Sequence, residues 1–139
     1  MIRVSRSIAA IALCFAVAPS VFAETLNCTP AVQYLCSAER CERRTEGFQH
    51  AESFAFDAAA RQLSACLWTT CYSGVATVYP GAGGGAATAI GFLPDEQGAE
   101  KPPLLLSLTI DASRRFVAVW QYDGTGLTFD QGTCVPAGR

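Results

Sequence analysis

Leu104-Leu105-Leu106-Ser107-Leu108-Thr109-Ile110-Asp111-Ala112-Ser113-Arg114-Arg115-Phe116-Val117-Ala118-Val119-Trp120-Gln121-Tyr122 reads as one β-hairpin. Every even position from Leu104 to Ile110 is apolar, with Ser107 and Thr109 opposite. Phe116, Ala118, Trp120 and Tyr122 then alternate with Val117, Val119 and Gln121. A period of two is the signature of a strand with one face buried. Asp111 can open the intervening turn through its side chain.

The same pattern occurs earlier. Ser53-Phe-Ala-Phe-Asp57-Ala-Ala-Ala-Arg61 resembles Ser107-Leu-Thr-Ile-Asp111-Ala-Ser-Arg-Arg115, and the second strand again ends in Trp, at Trp68 and Trp120. Two hairpins obeying one turn chemistry account for this without invoking a duplication. Leu63, Ala65 and Leu67 alternate with Ser64, Cys66 and Trp68, and Val75, Thr77 and Tyr79 follow Gly74. Ala89–Leu93 is a weaker strand, and Leu127–Phe129 is the last before Gly132-Thr133-Cys134. Gly81–Gly85 is a flexible connection, Pro94–Pro103 a polar loop, and Asp123-Gly124-Thr125-Gly126 a hairpin turn. Seven or eight short strands with turns every 8–12 residues predict an all-β fold, a small antiparallel sandwich or barrel. No helical period of the kind a βαβ fold needs is present.

The N-terminus carries Arg3 and Arg6, then an apolar run from Ile8 to Val17, a break at Pro19-Ser20, and Val21-Phe22-Ala23. That is a signal peptide, residues 1–23, cut after Ala23. Lipidation at Cys14 fits poorly, because Leu13 is bulky where a small residue is needed. A single domain, 24–139, then remains, with 116 of the 139 residues. It keeps eight Lys/Arg against twelve acids, a net charge of −4. Such a balance excludes nucleic acid and anionic membrane as obvious partners. No later segment is long and apolar enough for a transmembrane anchor.

Removal of Cys14 leaves six cysteines, an even count suited to an oxidising compartment. Cys36-Ser-Ala-Glu-Arg-Cys41 and Cys66-Leu-Trp-Thr-Thr-Cys71 share one spacing. Residues five apart point away from each other on a helix, whereas they face each other across a hairpin with a four-residue loop. The expected bridges are Cys36–Cys41 and Cys66–Cys71 as hairpin staples, with Cys28–Cys134 tying the ends. On the chain-entropy model the long bridge contributes most, about 4–5 kcal/mol. Residues 28–47 read as a Cys-rich polar head, with a strand at Ala31–Cys36 and a charged knot at Glu39–Arg44. Four thiolates from the two C-x4-C pairs would suit zinc, but the compartment favours disulfides.

The chemical motifs are weak. Gly81-Ala-Gly83-Gly-Gly-Ala86 fits G-x-G-x-x-A, yet Pro80 precedes it and no helix follows, so a plain loop is expected. His50 is the only histidine, with no G-x-S-x-G and no cysteine left over to serve it. Asp57, Asp111, Asp123 and Asp130 read as turn acids, and Asp95 and Glu96 as loop acids. Asn27-Cys28-Thr29 is a formal glycosylation acceptor whose middle residue belongs in a bridge. No cofactor or metal site is expected.

Tyr72-Ser73-Gly74-Val75-Ala76-Thr77-Val78-Tyr79 resembles the Ser-Gly loop of periplasmic inhibitors of c-type lysozyme, which are small disulfide-bonded β-barrels. The resemblance spans this stretch alone and implies no residue roles. The expected function is a periplasmic or secreted binding domain without a catalytic site, an envelope protein or enzyme-inhibitor-like module with a protein partner. The expected contact loops are Ser73-Gly74, Gly81–Gly85 with Gly83, and Pro94–Pro103 with Asp95 and Glu96, since loops on a rigid scaffold carry recognition. A small-ligand carrier barrel and a small hydrolase using His50 are the alternatives.

Overall fold

The computed structural model describes residues 24–45, 51–81, 85–98, 101–121, 124 and 126–138. Residues 1–23, which include Cys14 and where the sequence predicts a signal peptide, lie outside the described residues, as do His50, Gly83 and most of the 122–125 turn. Ten strands follow one another: β1 (Thr25–Cys36), β2 (Cys41–Arg44), β3 (Ala51–Asp57), β4 (Gln62–Leu67), β5 (Thr70–Val75), β6 (Thr77–Pro80), β7 (Ala87–Leu93), β8 (Leu104–Ile110), β9 (Arg115–Gln121) and β10 (Leu127–Pro136). All pair antiparallel in one sheet, in the order β5-β4-β3-β1-β10-β9-β8-β7-β6, with β2 also on β1.

That order describes a barrel. The two ends of the sheet, β5 and β6, are consecutive in the chain and separated only by Ala76. They act as one bent stave between β4 and β7. β2 and β3 likewise lie end to end along the edge of β1 that β10 does not use. The ten strands therefore make eight staves, each paired with its neighbours in sequence, and β10 returns to β1.

The inward side chains are those the alternation selects. Phe54, Phe56, Leu63 and Ala65 face Leu104, Leu106, Leu108, Ile110, Phe116, Ala118 and Trp120, all buried. Phe54 and Phe116 meet edge to face with ring centroids 5.6 Å apart. Each Leu, Ile and Phe among them contributes roughly 1.5–3 kcal/mol through burial. An apolar interior is the reverse of a transmembrane β-barrel, whose lumen is polar. Among the described residues, no helix is long and apolar enough to cross a membrane.

Both Asp-opened hairpins form. Asp57 Oδ1 accepts from the Ala60 N–H at 2.8 Å, and Asp57 Oδ2 from Thr25 Oγ1 at 3.0 Å. Asp111 Oδ1 accepts from Ser113 N and Arg115 N at 2.8 and 2.9 Å. These N–H donors, Ala60 first for Asp57 and Arg115 first for Asp111, hold both carboxyls below their ordinary value. Each turn ends on a left-handed arginine, Arg61 (φ 53°) and Arg114 (φ 60°). The first loop is one residue longer: Asp57 pairs with Gln62, whereas Asp111 bonds back to Arg115. The echo between the hairpins is thus one of turn chemistry.

The structure joins Cys28 to Cys134, Cys36 to Cys41 and Cys66 to Cys71, with Cα–Cα separations of 3.9, 3.9 and 4.1 Å. All three link residues directly opposed on neighbouring strands. Two expectations are corrected. Residues 28–47 are no separate head, because β1 is a full stave that puts Leu26 and Cys28 into the core. The Cys66–Cys71 hairpin has a two-residue connection, Trp68-Thr69, since Leu67 and Thr70 pair as well.

Candidate binding surface

Of the expected contact segments, Ser73-Gly74 is part of the barrel wall and Asp95-Glu96 packs against it. Ser73 and Gly74 lie in β5, not in a loop. Ser73 N–H donates to Pro94 O at 3.2 Å, Glu96 N–H to Cys71 O at 3.0 Å, and Tyr72 pairs with Asp95. Ser73, Gly74, Asp95 and Glu96 are thereby brought together at the seam that closes the barrel. A Cβ on Gly74 would sit 3.3 Å from Pro94 Cδ, and one on Gly91 would sit 3.2 Å from Val75 O. The two glycines let β5 and β7 approach closely, a common use of glycine within strands.

Asp95 faces inward at this seam. Its side chain is almost wholly buried and pairs with Lys101 Nζ at 3.4 Å, while its Oδ1 accepts from Gln97 N at 2.8 Å. Lys101 Nζ also donates to Thr70 Oγ1 at 3.1 Å. The group fastens the 94–101 segment to the β4–β5 turn, and only Glu96 of the two acids is exposed. Gly81 N–H bonds to Ala86 O at 2.8 Å, so the β6–β7 connection is a hairpin with its ends tied.

A second inward polar group lies between β1, β9 and β10. Asp130 is 0% exposed, so it is a core residue and not the solvated turn acid its sequence context implies. Its Oδ1 accepts from Gln33 Nε2 at 2.9 Å and its Oδ2 from Trp120 Nε1 at 2.5 Å. A β-bulge between Pro30 and Val32 resets the alternation of β1, turning Gln33 inward and Val32 and Tyr34 outward. Buried polar groups require such partners.

The outer wall holds the feature that loop reasoning missed. Strand register aligns outward side chains in three rows, two of which run from β7 to β1. One runs Phe92, Leu105, Gln121; the next Ile90, Ser107, Val119, Phe129, Tyr34; the third Thr88, Thr109, Val117, Gln131, Val32. None of these side chains is charged. Phe92 is 69% exposed, and Ile90, Val117 and the adjacent Leu127 are also exposed. Thr88 and Thr109 share a hydroxyl hydrogen bond of 2.9 Å across the third row. At the centre, short Ser107 leaves a dent of about 140 Å³ lined by Ile90, Leu105, Val119, Gln121 and Leu127. The middle row ends at exposed Arg43, opposite Tyr34 on β2.

The signal was present in the sequence. Leu105, Val117 and Val119 are apolar at positions where a half-buried strand would be polar. A wide apolar outer face marks an interaction site more often than a single exposed Leu does. No family model matches the chain, and neither a curated protein nor a solved structure is similar to it at a significant level.

Proposed function

We propose that this chain is an exported binding domain that contacts a protein through the outer face of β7–β10 and β1. Three disulfides fit an oxidising, exported setting, and the N-terminal pattern fits delivery to the periplasm or beyond after cleavage near Ala23. The observation that carries the reading is the uncharged outer face, continuous in register across five strands. Charged side chains gather instead at the barrel ends and on β2. The dent at Ser107 has the size of one apolar side chain, and such pockets hold the anchor residues of protein interfaces. The side chains that fill the interior favour an outer-surface binder over a small-ligand carrier. An inhibitor of an enzyme is one form such a domain takes.

Phe92→Lys with Val119→Lys tests the reading. Both positions face outward, so the variant keeps its unfolding midpoint while losing a partner that copurifies with the unaltered domain from its own envelope fraction. Retention of that partner at unchanged yield would place the contact elsewhere.

A further inference from the structure

We propose that the Cys36–Cys41 bridge is a thiol–disulfide exchange site, opened by an external dithiol while the barrel stays folded. The three bridges differ sharply in access. Cys28 and Cys134 are buried in the core, whereas Cys41 is exposed on β2 and Cys36 half-buried beside it. Cys66 and Cys71 are half-buried on the outer wall.

Topology separates the two outer bridges. β2 pairs only with β1, over four residue pairs, and β1 remains held by β3 and β10 without it. Opening Cys36–Cys41 therefore releases only the β2 half of one stave and leaves β3 and the other staves paired. Cys71 sits in the closing seam, where its carbonyl accepts from Glu96 and its neighbour Tyr72 pairs with Asp95.

Charge separates them again. The attacking species in exchange is a thiolate. Around Cys41 stand Arg40, Arg43 and Arg44 against Glu39 and Glu42, and Arg40 pairs with Glu42 at 2.8 Å. The residues between Cys66 and Cys71 are uncharged, and the charges beside that bridge are the Lys101–Asp95 pair on Thr70 and exposed Glu96 at Cys71, a net negative set. An anionic reductant is drawn to the first bridge and not to the second.

The step balances on the dithiol. One thiolate attacks Cys41 Sγ, the S–S bond breaks, and Cys36 Sγ leaves with the electron pair and takes a proton from water. The second thiol of the reductant then attacks its own sulfur in the mixed disulfide and expels Cys41 as a thiolate. Two electrons pass to the bridge, and the dithiol ends as a disulfide. The inference holds whether or not the neighbouring outer face is the binding surface.

The test is graded reduction of the oxidised domain with dithiothreitol, quenching with N-ethylmaleimide, and mass mapping of the labelled cysteines. Cys36 and Cys41 are expected to label at least about tenfold faster than the other four, with the near-ultraviolet dichroism unchanged. Equal labelling of Cys66 and Cys71, or label found only in molecules with all six cysteines reduced, overturns the proposal. A second arm uses Arg43→Gln with Arg44→Gln, which removes two unit charges. A unit charge about 7 Å from the attacking sulfur changes the rate about threefold in water. Exchange with glutathione should thus slow about tenfold in this variant, and exchange with cationic cysteamine should not slow. Equal slowing of both thiols removes the electrostatic part of the argument.

Discussion

Removing the donors to Asp130 is expected to destabilise the barrel in a strongly non-additive way. Trp120→Phe deletes the indole N–H that reaches Asp130 Oδ2 and nearly preserves the ring packing. Leaving a buried acceptor without its donor costs about 1–3 kcal/mol, so a loss of about 2 kcal/mol is expected. Gln33→Leu deletes the amide at Oδ1, for about the same loss. Asp130→Leu strands both donors in the interior and should cost about 3 kcal/mol. The three single changes together come to about 7 kcal/mol, a large share of a typical domain's stability. The triple change replaces the polar group with apolar side chains and is expected near 3 kcal/mol, because the Gln33 and Trp120 donors leave together with the carboxylate that accepts from them. Urea unfolding of the oxidised domain reads this directly. With a slope of about 1.5 kcal/mol per molar, each single change lowers the midpoint by more than about 1 M. A triple variant as unstable as the summed singles, or single variants within about 0.5 kcal/mol of the parent, would refute the reasoning.

Three further outcomes follow from the geometry. Gly132→Ala should fail to reach the native state in good yield, since a Cβ there would collide with the Thr29 carbonyl oxygen and lie 2.8 Å from Phe116 Cε1; soluble, fully oxidised protein at normal yield would contradict the packing of β10 on β1. Arg61→Gly should raise stability by about 0.5–1 kcal/mol by relieving the left-handed conformation, whereas Arg61→Val should lower it; thermal unfolding midpoints check the sign. Asp57 and Asp111 have folded-state values below the ordinary 3.8, so their stabilising effect is present above that pH and is lost as pH falls through the lowered values; Asn at both positions should flatten the decline in urea midpoint below about pH 4, and an unchanged slope would contradict the assignment.

Much of the wall was legible because it depends on local rules. The alternation at Leu104–Ile110 and Phe116–Trp120 is set by the period of the pleat, and Asp57 and Asp111 open turns through their own side chains. The spacing of Cys36 with Cys41 and of Cys66 with Cys71 is likewise a property of a hairpin. What escaped depends on contacts distant in sequence. The bulge at Pro30 carries a proline inside a stave and reverses the facing of Gln33, and no local pattern announces that Gln33 will meet Asp130 97 positions away. Gly74 looks like a turn residue until Gly91 and Pro94 arrive beside it. Asp95 and Asp130 resemble solvated acids because burial of a carboxyl is decided by its partners, Lys101 and Gln97 in one case and Gln33 and Trp120 in the other. The uncharged outer face escaped for a different reason. Leu105, Val117 and Val119 were legible one at a time, and only the register of β7 through β1 makes them neighbours.

Site-specific photo-crosslinking tests the central claim most directly. A benzophenone side chain placed at Leu105, in the dent of the outer face, is compared with one at exposed Gln62 on β4. Irradiation of the oxidised domain mixed with an extract of its source cells should give one discrete protein adduct from position 105 and none from position 62. Adducts of equal intensity from both positions, or an adduct from position 62 alone, would contradict the assignment of the β7–β1 face as the binding surface.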